Sequence, residues 1–309
     1  MTNDETSDRV LAGRRAIVTG STRGLGRAYA RAMAAAGASV LVNGTTQGLV
    51  DDVVEEITSA GGVADGHAGT VASFAGAEAL VQRCVDAFGG VDIVVNNAGV
   101  IAERMMFNMT EEEFRGPFEV DAFGTFAVSR FAVRDMRPRG WGRIINVGDI
   151  SAQTGLLGGT NVAAAKGAVH GMTYTWGSEL ARWRITANCI IPEAYTRMHD
   201  PLYLKAIELA RERGDAAVPT FEEMVARAAR PEDVAPFIVF LASDAAHWVT
   251  GQVFTVTRER VALWSHAAEK AEVPSWHRTS PGDLADAMHR AFASEVEPVG
   301  INEPWAAPD

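Results

Sequence analysis

Short apolar runs and helical stripes alternate along most of this chain. Residues 15–20 form an apolar run ending in glycine, which predicts a strand buried on both faces. An alanine-rich helical stripe follows over 27–36. The pattern then predicts a strand at 38–43, a helix at 47–60 closed by Gly61-Gly62, a strand at 63–69, a helix at 74–88 and a strand leaving through residues 91–99. Thr110-Glu111-Glu112-Glu113 reads as a capping box opening a long helix toward Met136, with Gly116-Pro117 expected to kink it. A fifth strand is expected at 142–147, a helix at 160–181 and a sixth strand at 183–191, ending at Pro192. Residues 197–231 are charged and helical in pattern. Pro231 starts a helix reaching Ser243, residues 252–257 form the last core strand, and residues 261–264 extend an edge. Ser280-Pro281 starts a short helix to about Glu295.

One turn in this series has chemical content. Gly20-Ser21-Thr22-Arg23-Gly24-Leu25-Gly26 lies between a strand and a helix, where glycines admit close approach and free helix-terminal N–H groups attract phosphate. Together with the strand–helix alternation it predicts an α/β fold, a Rossmann-type doubly wound parallel sheet. A single domain over 11–265 is expected, with a disordered tail at 1–10 and a C-terminal extension at 266–309 that serves packing or subunit contact. The second strand ends in Gly44-Thr45-Thr46, where an acidic residue would bind the 2′-hydroxyl of NAD. No carboxylate there repels a 2′-phosphate, and Arg23 can reach one. NADP is therefore expected over NAD.

Composition narrows the partners. With 309 residues, 47% hydrophobic and 22% charged, the chain has an ordinary globular balance. A net charge of −11 argues against nucleic acid and anionic membranes. No apolar run suits a membrane span, residues 1–10 do not read as a signal peptide, and the two cysteines, Cys84 and Cys189, read as buried thiols. A cytoplasmic protein acting on a small molecule is expected. No metal-ligand spacing and no nucleophile-elbow motif appears.

Thr19-Gly20, Gly24, Gly26, Asn96-Asn97-Ala98-Gly99 and Lys166 together resemble the short-chain dehydrogenase/reductase superfamily over about residues 11–265. The Gly24–Ala30, Pro192–Met198 and Val234-Ala235-Pro236 stretches are similar to the (3R)-hydroxyacyl dehydrogenase unit of multifunctional enzyme type 2. The resemblance implies cofactor contacts from Gly20, Ser21, Thr22, Arg23, Gly24, Leu25, Gly26, Thr45, Asn97, Ala98, Gly99, Lys166, Pro192 and Thr196. It also implies a lid at 197–231 and a homodimer or homotetramer through the helices near 110–136 and 160–181. Phe123, Phe126, Ala127 and Phe131 fit a buried face there.

The family's catalytic set is Asn, Ser, Tyr and Lys. Its Tyr stands four positions before the Lys, and that position is Val162. Its Ser falls at Asp149 and its helix Asn at Asp121. The adenine-contacting Asp appears as Thr70, and the glycine after the proline as Glu193. Ser151 is two residues late for the Ser role. Lys166 alone remains. Candidate catalytic residues are therefore Asp149, Asp121, Lys166 and, as a stand-in proton donor, Tyr195. An Asp149–Lys166 ion pair that merely fixes the loop is the competing expectation. His170, one turn after Lys166, is expected to be packed or solvent-facing. Three classes of function stay open: a reductase with altered chemistry, for which C=N⁺ suits two carboxylates better than a ketone; a non-redox cyclase, dehydratase or aldol-type enzyme using Asp149 and Asp121 as acid and base; and a dinucleotide-binding protein without catalysis.

Overall fold

A computed structural model describes residues 9–212, 214, 217–274 and 281–295. Residues 1–8 of the expected disordered tail lie outside them. The strands are β1 (Arg15–Val18), β2 (Ser39–Gly44), β3 (Val63–Ala68), β4 (Ile93–Asn96), β5 (Gly142–Val147), β6 (Ile185–Pro192), β7 (Gln252–Val256) and β8 (Val261–Leu263). They form one sheet in the order β3-β2-β1-β4-β5-β6-β7-β8. Every pairing is parallel except β7 with β8. The strand order reverses between β1 and β4, which opens the crevice where α/β sheets bind ligands. Residues 261–264 do extend the edge: Val256 pairs with Val261, and Trp264 Nε1 donates to Thr255 Oγ1 at 2.8 Å.

The central strands are apolar at successive positions because both faces are covered. The first helices are α1 (Gly24–Ala35), α2 (Gln47–Ser59) and α3 (Phe74–Phe88). They are followed by α4 (Glu111–Pro117), α5 (Gly124–Arg139), α6 (Ser151–Thr154) and α7 (Thr160–Glu179). The remainder are α8 (Asp200–Glu212), α9 (Phe221–Arg227), α10 (Pro231–Ala242) and α11 (Pro281–Phe292). Val18, Val40 and Val95 pack with Tyr29 and Met33 of α1, Val53 of α2 and Ile238 of α10. Ile17, Leu41 and Val94 face the other way, toward Leu80 of α3 and Phe131 and Met136 of α5. Val169 of α7 meets Cys189 and Val253 on the β6–β7 side. Cys84 and Cys189 are free and buried, as expected. No helix among the described residues is long and apolar enough to cross a membrane.

The expected long, kinked helix is instead two α-helices joined by a π turn. The capping box is present: Thr110 Oγ1 accepts from Glu113 N, and Glu113 Oε2 accepts from Thr110 N. Pro117 has no N–H to give the carbonyl of Glu113, four residues earlier. Asn161 Nδ2 takes that carbonyl at 2.6 Å. With the ladder interrupted, Phe118–Phe123 winds as a π-helix, and Gly124 N donates to Glu119 O. Gly124 must be small, since a Cβ there would lie 2.8 Å from Val71 Cγ2.

Candidate active site

The glycine loop is bolted to the exit of β4. Gly20 and Gly24 take left-handed φ values of +60° and +54°. A Cβ on Gly26 would come within 2.4 Å of both Asn97 Nδ2 and Gly20 O, so the helix can approach the loop only without one. Asn97 Nδ2 donates to Thr19 O and Gly20 O, each at 3.0 Å, and Thr19 Oγ1 accepts from the N–H groups of Asn97 and Ala98. Ser21 Oγ donates to Val18 O and accepts from Asn43 N. Thr196 closes over the loop, its Cγ2 lying 3.3 Å from where a Gly24 Cβ would be. Arg23 and Thr45 are exposed beside it.

Asn43 was not singled out by the sequence, yet it joins three strand exits. Its Oδ1 accepts from Gly20 N, and its Nδ2 donates to His67 O and Gly69 O. An amide at a strand end, just before a glycine, was the available signal. A second unforeseen network lies below the site. Asn96 Nδ2 donates to Ser129 Oγ and Asn146 Oδ1, and Asn146 Nδ2 donates to Thr173 Oγ1, all at 2.9 Å. These buried bonds lock β4, β5, α5 and α7 together.

The second group centres on Lys166. Its Nζ lies 3.1 Å from Asp121 Oδ2 and donates to Val147 O at 2.9 Å. Asp121 Oδ1 accepts from Val100 N at 3.0 Å. The expected Asp149–Lys166 pair is thus replaced by Asp121–Lys166. The π turn carries Asp121 to the lysine, while Asp149 Oδ1 folds back to accept from Ser151 N at 2.8 Å. Gly99 leaves room for the pair, because a Cβ there would lie 3.0 Å from Asp121 Oδ2. Asn161 fixes the start of α7: its Nδ2 donates to Ala102 O and Glu113 O, and its Oδ1 accepts from Val162 N. Val162 itself is buried.

His170 is packed, not solvent-facing. A Cβ on Gly148 would lie 2.5 Å from its Nε2, and its Nδ1 is 3.4 Å from Gln153 Nε2. Burial, aided by the charge of Lys166 and opposed by Asp149, pushes the imidazole pKa down to about 4. His170 is therefore neutral near pH 7. Its Nε2 and the Oγ of buried Ser151 have no hydrogen-bond partner among the described residues.

Asp149 and Tyr195 line one cleft of about 540 Å³ with Pro192 and Glu193, outside the carboxyl ends of β5, β6 and β7. Tyr195 is engaged by the segment above the cleft. Its hydroxyl donates to Asp200, its ring meets Phe221 edge-on at 6.4 Å, and its N–H donates to Ala229 O at 2.8 Å. Helices α8 and α9 lie in the variable segment, and Arg227 of α9 lines the cleft. In the described part of the C-terminal extension, the His266 ring lies 5.0 Å from Tyr174 of α7. No cluster among the described residues is arranged to hold a metal.

A sheet of this strand order, parallel but for its β8 edge, a glycine loop at its switch point and a buried lysine at the β5 exit define a Rossmann-type protein of the dehydrogenase class. Residues 14–203 match the short chain dehydrogenase family, and the chain belongs to it. It is 35% identical to the hydroxyacyl-CoA dehydrogenase ChsB1 of Mycobacterium tuberculosis, over 92% of this chain and 90% of that protein. It is 33% identical to the 3-oxoacyl-[acyl-carrier-protein] reductase FabG of Thermotoga maritima, over 80% of this chain and 97% of the relative. A crystal structure of a short chain dehydrogenase from Mycobacterium avium superposes with a TM-score of 0.80 at 34% identity, covering 94% of this chain and 99% of that one.

Proposed function

We propose that this protein is an NADP-dependent oxidoreductase that reduces a carbon–nitrogen double bond, as C=N⁺, in a small molecule, in preference to a ketone. The observation that carries this reading is the pair of residues at the reacting end. Val162, at the position of the family's tyrosine, has no exchangeable proton. Asp149, at the position of its serine, puts a carboxylate on the cleft wall.

The residues fit a dinucleotide. The N-terminus of α1 has no side-chain cap and no acid in its first turn, which leaves N–H groups and a positive dipole end for a pyrophosphate. The N-terminus of α2, following Gly44-Thr45-Thr46, is likewise uncapped and free of acids. With Arg23 exposed nearby, it suits a 2′-phosphate. When bound, NADPH supplies hydride. Lys166, held by Asp121 and Val147, is fixed in position for the nicotinamide ribose, the role the family assigns to it.

Reducing a ketone builds negative charge on oxygen and requires a proton there. A carboxylate beside that oxygen raises the barrier, and valine delivers no proton. An iminium carbon accepts hydride, the C=N π electrons move to nitrogen, and a neutral amine results with no proton transferred. Asp149 binds the cation and favours the protonated C=N⁺ over the neutral imine, which keeps the substrate in the form that accepts hydride. Acid–base chemistry by Asp149 and Asp121 without redox is a weaker reading. Both Asp121 oxygens are already engaged, by Val100 N and Lys166. Dinucleotide binding without catalysis stands third.

The test is an exchange of function. Val162→Tyr with Asp149→Ser should raise ketone reduction and lower imine reduction. Asp149→Asn alone should impair imine reduction by about tenfold or more, the loss of one charge interaction. If Asp149→Asn and Asp121→Asn both leave the native conversion untouched, the carboxylates are structural and the mechanism fails.

A further inference from the structure

The cleft beside Asp149 is lined by charge of both signs. Asp149 and Glu193 lie at the exits of β5 and β6. Arg227, which ends α9, and Arg260, in the turn between β7 and β8, line the same cleft. Glu259 and Arg258 complete the charged lining. Arg258 is already committed: its Nε is 3.0 Å from Asp233 Oδ2, and its Nη2 donates to Ala228 O at 3.0 Å. Arg227 and Arg260 have side chains with no ion pair or hydrogen bond among the described residues, although Glu193 and Glu259 line the same cleft.

The backbone that carries these two exposed side chains is fixed. Thr257 Oγ1 accepts from the N–H groups of Glu259 and Arg260, and Thr257 N donates to Arg260 O at 2.9 Å. The Arg258 bonds tie this turn to the residue after Arg227. Tyr195 N donates to Ala229 O, pinning the same short segment from the β6 side. Two exposed arginine forks on neighbouring, mutually bonded segments at the rim of a strand-end cleft, neither of them paired with Glu193 or Glu259, can meet an anion from outside.

We propose that Arg227 and Arg260 form a subsite for an anionic group of the substrate, so that the cleft selects a zwitterion. Its iminium lies toward Asp149, and its carboxylate lies between the arginines. The orientation within the cleft rests on the reduction proposed above, but the anion subsite itself does not.

The experiment therefore has two arms. In the first, NADPH oxidation is followed with 1-pyrroline-2-carboxylate and with 2-methyl-1-pyrroline. The wild-type protein should prefer the carboxylated imine in kcat/KM by about ten- to a hundredfold, the worth of one or two charge-assisted contacts. Arg227→Gln with Arg260→Gln should erase that preference through KM, and Arg→Lys at both positions should restore part of it. Loss of both activities in equal measure, or an unchanged preference, overturns the subsite. In the second arm, which needs no turnover, L-proline and pyrrolidine are titrated calorimetrically into the protein. Saturable binding of L-proline alone, lost in the double Gln variant, supports the subsite even if no imine is reduced, and the failure then belongs to the proposed reaction. Absence of L-proline binding, or binding indifferent to the arginines, shows two solvated cations and no subsite, even if neutral imines are reduced.

Discussion

Asp121→Asn isolates the contribution of the buried ion pair. The side chain keeps its shape and an acceptor for Val100 N, but Lys166 loses its counter-ion. Asp121 is 2% exposed and Lys166 8%, so the orphaned ammonium cannot recover its hydration. Breaking a buried pair by removing one partner costs about 3–5 kcal/mol. The surviving bond from Nζ to Val147 O and the dipole of the new amide offset part of that. A net loss of about 2–3 kcal/mol is expected, which in a chain of this size lowers Tm by roughly 4–8 °C. Lys166→Met should cost a similar amount by leaving Asp121 charged and buried. The double variant should be less damaged than the sum of the singles by about 1–3 kcal/mol, since it leaves no lone charge. Urea unfolding without cofactor and at one fixed protomer concentration measures all three. Additivity within about 0.5 kcal/mol would refute the claim that these groups act as a pair.

Three further outcomes are expected. NADPH should bind more tightly than NADH in a fluorescence titration, and Arg23→Ala should remove the difference; equal affinities in the wild type contradict the 2′-phosphate reading. His170 has a folded pKa of about 4, below its unfolded value near 6.5, so the unfolded chain takes up the proton first as pH falls. Its contribution is intact above pH 6.5 and is lost progressively down to pH 4, by about 2–3 kcal/mol; His170→Gln should flatten that part of the stability profile, and an unchanged slope would place the effect elsewhere. Phe74 stacks with Phe123 and Phe126 at 5.1 and 6.1 Å, yet all three rings remain partly exposed. This face should be covered by a second copy, so light scattering at micromolar concentration should show a dimer or tetramer, and a monomer contradicts it.

The central strands were legible because packing on both faces leaves an unbroken apolar run, and the glycine loop because its spacing sits between a strand and a helix. Helix α3 matched its expected bounds at both ends, with Ser73 as its N-cap and left-handed Gly89 as its C-cap. The π turn was not legible. Pro117 signals a lost ladder bond, but only the fold shows that Asn161 claims the freed carbonyl. Choosing between Asp121 and Asp149 as the partner of Lys166 likewise needed the third dimension, since both stand at family positions near the lysine. Arg143 is a plainer case. Within a strand it would be expected to reach solvent, yet it is buried over Trp141 at 4.2 Å, and its Nε donates to Ser243 O. Burial pushes its pKa down to about 10.

The reading of Val162 and Asp149 is tested most directly by product stoichiometry in the unmodified protein. Incubated with NADPH and a panel of cyclic imines and matched ketones, the protein should form amine and consume NADPH in a one-to-one ratio while leaving the ketones largely unreduced. Ketone reduction at rates equal to or above those for the imines, or conversion of substrate with no NADPH consumed, would contradict it.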